Sequence, residues 1–198
     1  MITPKTREYR SFAPTLNDDG NIEGYAAVFN DTEVMYTDAY LGIEYKEKID
    51  QHAFDECDMS DVVLNFNHSG KPVARTRNKT LQLDVDTHGL HQLANLSGTQ
   101  DGRNMLEEIK GGYLDKMSFS FMVSEDAYDA VSHTRTLLKI SKLFDVSVVD
   151  RPAYEATSVS ARDYYSAKAE AERKASEDAA EIERKRKVLE LKIKTLQF

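Results

Sequence analysis

Residues 116–124 read KMSFSFMVS. Met117, Phe119, Phe121 and Val123 occupy every second position, the period of a strand with one buried face. The hydroxyls between them, Ser118 and Ser120, fall on the opposite face. A rigid strand fixes the position of a hydroxyl, which is good geometry for a nucleophile. Serines also line polar strand faces without any chemistry, so this stretch alone leaves both readings open.

Other segments outward from it carry the same pattern. Residues 61–67 (DVVLNFN) alternate with Val62, Leu64 and Phe66 on one face. Residues 80–86 (TLQLDVD) alternate with Leu81, Leu83 and Val85, and Thr87-His88-Gly89 turns the chain into residues 90–96 as a hairpin. Residues 22–30, 134–140 and 143–149 are further strand candidates. Two helices are expected in this body. One starts near Asp50 and covers 51–57. The other spans 101–110, with Met105, Leu106 and Ile109 as its apolar stripe and Gly111-Gly112 as its stop. The fold class expected is β-rich α+β.

Composition changes near residue 162. Residues 1–162 hold all 9 glycines and all 4 prolines, with 26 acidic and 17 basic residues. Residues 163–198 hold 8 acidic and 9 basic residues in an Ala, Glu, Lys and Arg background, a helical composition. Two units are therefore expected: a body over 1–162 and a charged helical tail over 163–198. In the tail, Ala175, Ile182, Leu189 and Leu196 are seven apart, and Ala179, Arg186 and Ile193 form a second seam that Arg186 interrupts. A solvated helix and a partner-binding helix both fit that pattern. The net charge of -8 argues against a protein that mainly holds nucleic-acid phosphates. No run approaches the ~20 apolar residues of a membrane span. The N-terminal residues show no secretory apolar region, and the single cysteine suits a reducing compartment.

His68 ends the strand VVLNFN before Ser69-Gly70-Lys71-Pro72, at what would be the lip of a cleft. An imidazole there can take and return a proton near neutral pH. Asp145 and Asp150 bracket FDVSVV, and a carboxylate inside so apolar a strand needs a partner if buried; a histidine is one. Cys57 lies among Asp55, Glu56 and Asp58, which disfavour its thiolate. His88 and His91 flank a turn near Asp84 and Asp86, but alternation separates them, and no HExxH or paired Cys supports a metal site. No phosphate-cradling glycine motif is present.

Together, EGYAAVFN (23–30), YKEKIDQHAF (45–54), VVLNFNHSGKPVART (62–76), GYLDKMSFSFMV (112–123) and LFDVSVVDRPAYEATSVSAR (143–162) resemble the prohead proteases of tailed bacteriophages in order and spacing. The resemblance implies a closed, herpesvirus-assemblin-like β-barrel flanked by helices. It implies a serine endopeptidase that needs no metal or cofactor, with His68 as base, Ser118 as nucleophile and Asp145 as third member. Asp150 and His133 remain alternatives for that third place. Ser120, where the family often has Gly, reads as a small neighbour. Oxyanion donors would lie near Asp150-Arg151. The role implied is capsid maturation inside the procapsid, in the host cytoplasm. The partners would be the scaffolding segment of the major capsid protein and the protease itself, with monomer and homodimer both open. The tail would dock on a helical scaffold or be a self-cleavage target. The competing reading is an inert procapsid scaffold with a protease-like body.

Overall fold

Alternation at 116–124 becomes one arm of a long hairpin in the computed structural model, which describes residues 7–17, 21–150 and 159–195. In chain order the elements are β1 (Arg7–Phe12), β2 (Thr15–Leu16), β3 (Ile22–Val28), β4 (Glu33–Asp38), β5 (Ile43–Ile49), β6 (Val63–Phe66), β7 (Ser69–Arg75), β8 (Leu81–Val85), β9 (Gly89–Ala94), α1 (Gln100–Lys110), β10 (Lys116–Asp129), β11 (Thr134–Val149) and α2 (Val159–Thr195).

Strands β10 and β11 pair antiparallel along their whole length. The expected strands 134–140 and 143–149 are one strand, because Lys142 stays in register with Met122 and bulges in the ladder absorb the irregularity. β1 flanks β10. On the other edge, the first part of β11 pairs parallel with β5 and its last part parallel with β6. β4 and β7 extend those two partners. A second antiparallel sheet, in the order β2-β3-β9-β8, packs across the first. The result is strand-rich α+β with a curled half-barrel sheet. The ladders among the described residues do not close a barrel. The sheets meet instead at the bridge Phe29↔Ile49 and through side chains.

The core lies between the sheets. Met117, Phe119, Phe121, Leu64, Val146 and Val148 meet Ile22, Leu81, Leu90 and Leu96, with Met105 of α1 closing one end. Each such large side chain contributes roughly 1.5–3 kcal/mol. Helix α1 begins where Thr99 Oγ1 accepts the Gly102 N–H at 2.9 Å and stops at Gly111, close to the expected bounds. The helix expected over 51–57 is instead a run of turns. Asp50 Oδ1 accepts the His52 N–H, and the carbonyls of Asp50, His52 and Phe54 accept from Ala53, Asp55 and Cys57 three residues on. Seven residues do not repay helix nucleation, and the turns set Ala53 and Phe54 into the core.

Helix α2 begins at Val159, so the expected division at 162 falls within its first turn. Tyr165 and Ala169 are buried against Met35 and Tyr45. Glu172 accepts the Tyr45 and Tyr128 hydroxyls at 2.9 and 2.8 Å and meets His133 at 3.0 Å. Arg173 pairs with Asp38 at 3.1 Å. From Lys174 to Ile193 the helix is exposed, including Ile182, Leu189 and Ile193.

Beneath the root of α2 lies a buried ionic cluster. Arg135, 1% exposed, donates to both Glu8 oxygens at 2.9 and 3.0 Å, to Glu47 at 3.2 Å and to Asp126 at 2.5 Å. Arg10 also donates to Glu8 and Glu47, and the Tyr165 hydroxyl donates to Glu47 at 3.0 Å.

Candidate active site

Residues directly opposite in an antiparallel ladder share a face. Ser118 faces Ser147 and Ser120 faces Asp145, so four polar side chains gather on the sheet face away from Met117 and Phe119. The parallel ladder adds Asn65 beside Ser147. All five are buried.

His68 reaches this face from the two-residue turn between β6 and β7. Phe66 pairs with Ser69, and Asn67 and His68 both have positive φ, 49° and 57°. Such turns match the twist of a hairpin but favour Asn and Gly. A histidine in the left-handed region costs roughly 1–2 kcal/mol, a strain of the kind found at functional sites. The turn is held by the Asn67 N–H on Val148 O at 2.9 Å and by the Asp150 N–H on Asn67 Oδ1 at 3.2 Å.

From there His68 Nδ1 meets Asp145 Oδ1 at 2.6 Å. Asp145 is 2% exposed. Ser120 Oγ donates to its Oδ2, Ser147 Oγ lies 2.7 Å from its Oδ1, and Arg7 Nη1 stands 3.8 Å from Oδ2. Burial pushes this carboxyl up. The hydrogen bonds and charge from His68, with those from Ser120 and Ser147, outweigh burial and hold it below the ordinary aspartate range. Ser118 Oγ is buried and has no hydrogen-bond partner among the described residues. It shares the face of Asp145 but makes no hydrogen bond to His68.

Several other candidates stand apart. His133 sits in the turn between β10 and β11, against Glu172 and Tyr128. Asp150 is exposed and lies just past β11. Arg151, named with Asp150 as an oxyanion donor, falls outside the described residues. Burial, then Asp58, pushes the Cys57 thiol up to about 12. His91 Nε2 meets Glu23 at 3.0 Å while Asp86 accepts the Tyr25 hydroxyl at 2.6 Å, so Asp84, Asp86, His88 and His91 do not converge. Among the described residues no group of three His, Cys, Asp or Glu is arranged to hold a metal ion. No described helix is long and apolar enough to cross a membrane.

Sequence reasoning passed over Ser147, Asn65 and Arg7. Alternation in FDVSVV already put Ser147 on the face of Asp145; Asn65 needed the parallel register and Arg7 the β1 pairing.

A paired imidazole and carboxylate beside serine hydroxyls is the equipment of acyl transfer. No curated protein and no solved structure matches the chain. The family model described as caudovirus prohead serine protease matches residues 7–172 of the 198. Its span takes in every strand, α1 and the buried root of α2. The chain with this histidine–aspartate pair therefore belongs to the caudovirus prohead serine protease family.

Proposed function

We propose that the chain is a serine endopeptidase of capsid maturation in which Ser118 is the nucleophile, His68 the general base and Asp145 the residue that orients His68. The observation that carries this reading is the 2.6 Å contact of His68 Nδ1 with Asp145, on the face where the Ser118 hydroxyl is buried without a partner among the described residues. A buried hydroxyl with no partner costs roughly 1–3 kcal/mol, and a reacting group is one reason to retain it.

With Nδ1 bound to Asp145, Nε2 is the ring nitrogen that takes the Ser118 proton. The Ser118 Oγ–carbonyl carbon bond forms, giving a tetrahedral intermediate. Its C–N bond breaks as His68 returns the proton to the leaving amine. Water then attacks the acyl-enzyme, passing a proton to His68, and the Ser118 hydroxyl is regenerated as the acid leaves. Asp145 keeps its charge throughout and stabilises the imidazolium.

The substrates are the scaffolding segment of the major capsid protein and the protease itself, inside the procapsid. The exposed stretch of α2 after Arg173 is the docking element for a helical scaffold, and its unpaired Ile182, Leu189 and Ile193 support that role. The body–tail division then falls after Arg173 rather than at 162.

Co-expression with the capsid protein tests the reading, wild type beside Ser118→Ala. Shortening of the capsid protein by wild type alone is the expected result. Shortening by both moves the nucleophile to another residue, Ser120 first. Shortening by neither, in the presence of assembled procapsids, leaves an inert scaffold.

A further inference from the structure

We propose that Ser120 and Ser147 are positioning residues that clamp the Asp145 carboxylate and thereby set how tightly His68 holds its proton. The inference rests on the reading that His68 and Asp145 work as a pair.

Asp145 is shut away from bulk water, so its oxygens are satisfied by protein donors. A carboxylate offers about four acceptor directions. Ser120 on β10 occupies Oδ2, while His68 and Ser147 share Oδ1. Ser147 has one proton but two contacts, Asp145 at 2.7 Å and Asn65 Oδ1 at 2.5 Å. Both are satisfied if the Asn65 amide is turned to donate its N–H to Ser147, a rotation that leaves its shape unchanged. The relay then runs Asn65 to Ser147 to Asp145, across β6 and β11. The second hydroxyl comes from β10 on the far side.

Two consequences follow from donors on rigid strands flanking the carboxylate. Its plane is fixed, so Oδ1 faces His68 in one orientation. Its charge is also shared among three donors, so the imidazolium formed in catalysis is held less tightly than against a bare carboxylate and returns its proton more readily. Among the described residues, Arg7 of β1 stands 3.8 Å from Asp145, and Asp150 follows directly after β11. Neither changes in the variants below.

The test is an NMR titration of the His68 ring in the Ser118→Ala chain, compared with the same chain carrying Ser120→Ala, Ser147→Ala or Ser120→Thr. Each alanine moves the titration midpoint upward by about half a pH unit, and threonine, which keeps the hydroxyl, restores it. With Ser118 present, each alanine lowers kcat/KM about tenfold, mostly in kcat, and moves the acid limb of the pH profile upward by the same interval. A midpoint unmoved in both alanine variants overturns the inference. So does a Ser120→Ala chain as inactive as Ser118→Ala with the titration unmoved, which makes Ser120 the nucleophile. The titration needs no turnover. Full hydrolysis by Ser118→Ala would therefore overturn the proposed nucleophile without touching this result.

Discussion

Replacing Arg135 by Met removes the centre of the buried ionic cluster while keeping most of its volume. Arg135, Glu8 and Glu47 are 1, 5 and 4% exposed, so no solvent replaces the guanidinium. The change deletes the contacts to Glu8, Glu47 and Asp126 and the stacking of Arg135 over Tyr164 at 4.4 Å. Arg10 is then the cation that Glu8 and Glu47 share, with the Tyr165 hydroxyl still on Glu47. Breaking a buried charge pair from one side costs about 3–5 kcal/mol, a large part of the ~5–15 kcal/mol by which a domain is stable. With a urea m-value of about 2 kcal/mol/M, the midpoint falls by roughly 2 M. Circular dichroism is the appropriate probe, since the chain has no tryptophan.

The same variant has a signature in pH. In the parent, burial pushes the Glu8 carboxyl up, and Arg10 and Arg135 outweigh it and leave it lowered. That contribution is fully present above the unfolded carboxylate pKa and is lost only as pH falls through the lower folded value. Without Arg135, burial wins and the folded value rises above the unfolded one. The variant then gains stability as pH falls toward the unfolded pKa. The gap between parent and variant should narrow by about 1 kcal/mol or more from pH 7.5 to 5.5. A loss under about 1 kcal/mol at pH 7.5 would refute the reasoning, as would a gap that ignores pH.

Four further outcomes are expected. A chain ending at Lys174 keeps the melting temperature of the full chain within a few degrees, whereas one ending at Arg162 loses buried Tyr165 and Ala169 and melts about 10 °C lower by calorimetry. Gly102→Ala destabilises by about 1–3 kcal/mol in urea despite the better helix propensity of Ala, because its Cβ would stand 2.2 Å from Leu96 O. Asp145→Asn lowers kcat about 10³–10⁴-fold in a peptide assay with the fold intact, since an amide cannot hold the required tautomer and charge. Cys57 resists iodoacetamide at pH 7.5 in the folded chain and reacts at the rate of a free thiol in urea, as mass spectrometry would record.

Alternation and the Gly111-Gly112 pair made the hairpins and the α1 stop legible in the sequence. The resemblance named His68, Ser118 and Asp145, of which the structure brings His68 and Asp145 into contact and buries Ser118 on the face of Asp145. Alternation also sent Ser118 and Ser120 to the face opposite Met117 correctly. It could not say that this face is itself buried, because the burial comes from tertiary packing. The ionic cluster was illegible for the same reason: Arg135 meets Glu8 across 127 positions and Glu47 across 88, and each alone reads as a surface charge. The segment 51–57 carried a good start signal at Asp50, but the pull of Ala53 and Phe54 into the core decided its shape. The composition break near 162 reflects the end of glycine and proline, whereas contact with the body runs on through Arg173, a division that composition cannot see.

The placement of β11 orders the assembly of the site. Its antiparallel partner β10 is joined by a short turn, so that hairpin, with Ser118, Ser120, Asp145 and Ser147, closes by local contacts alone. The histidine arrives by a different route. His68 is 77 positions from Asp145, and the turn that aims it is anchored on the Val148 carbonyl, near the end of β11. Non-local parallel pairing is slow because the loop must close before any contact rewards it. On the ribosome, β6 and its histidine emerge early and wait while some eighty residues are made. The nascent chain therefore does not hold His68 against Asp145 until its body is nearly complete, which, under the proposed mechanism, delays hydrolytic competence by topology alone.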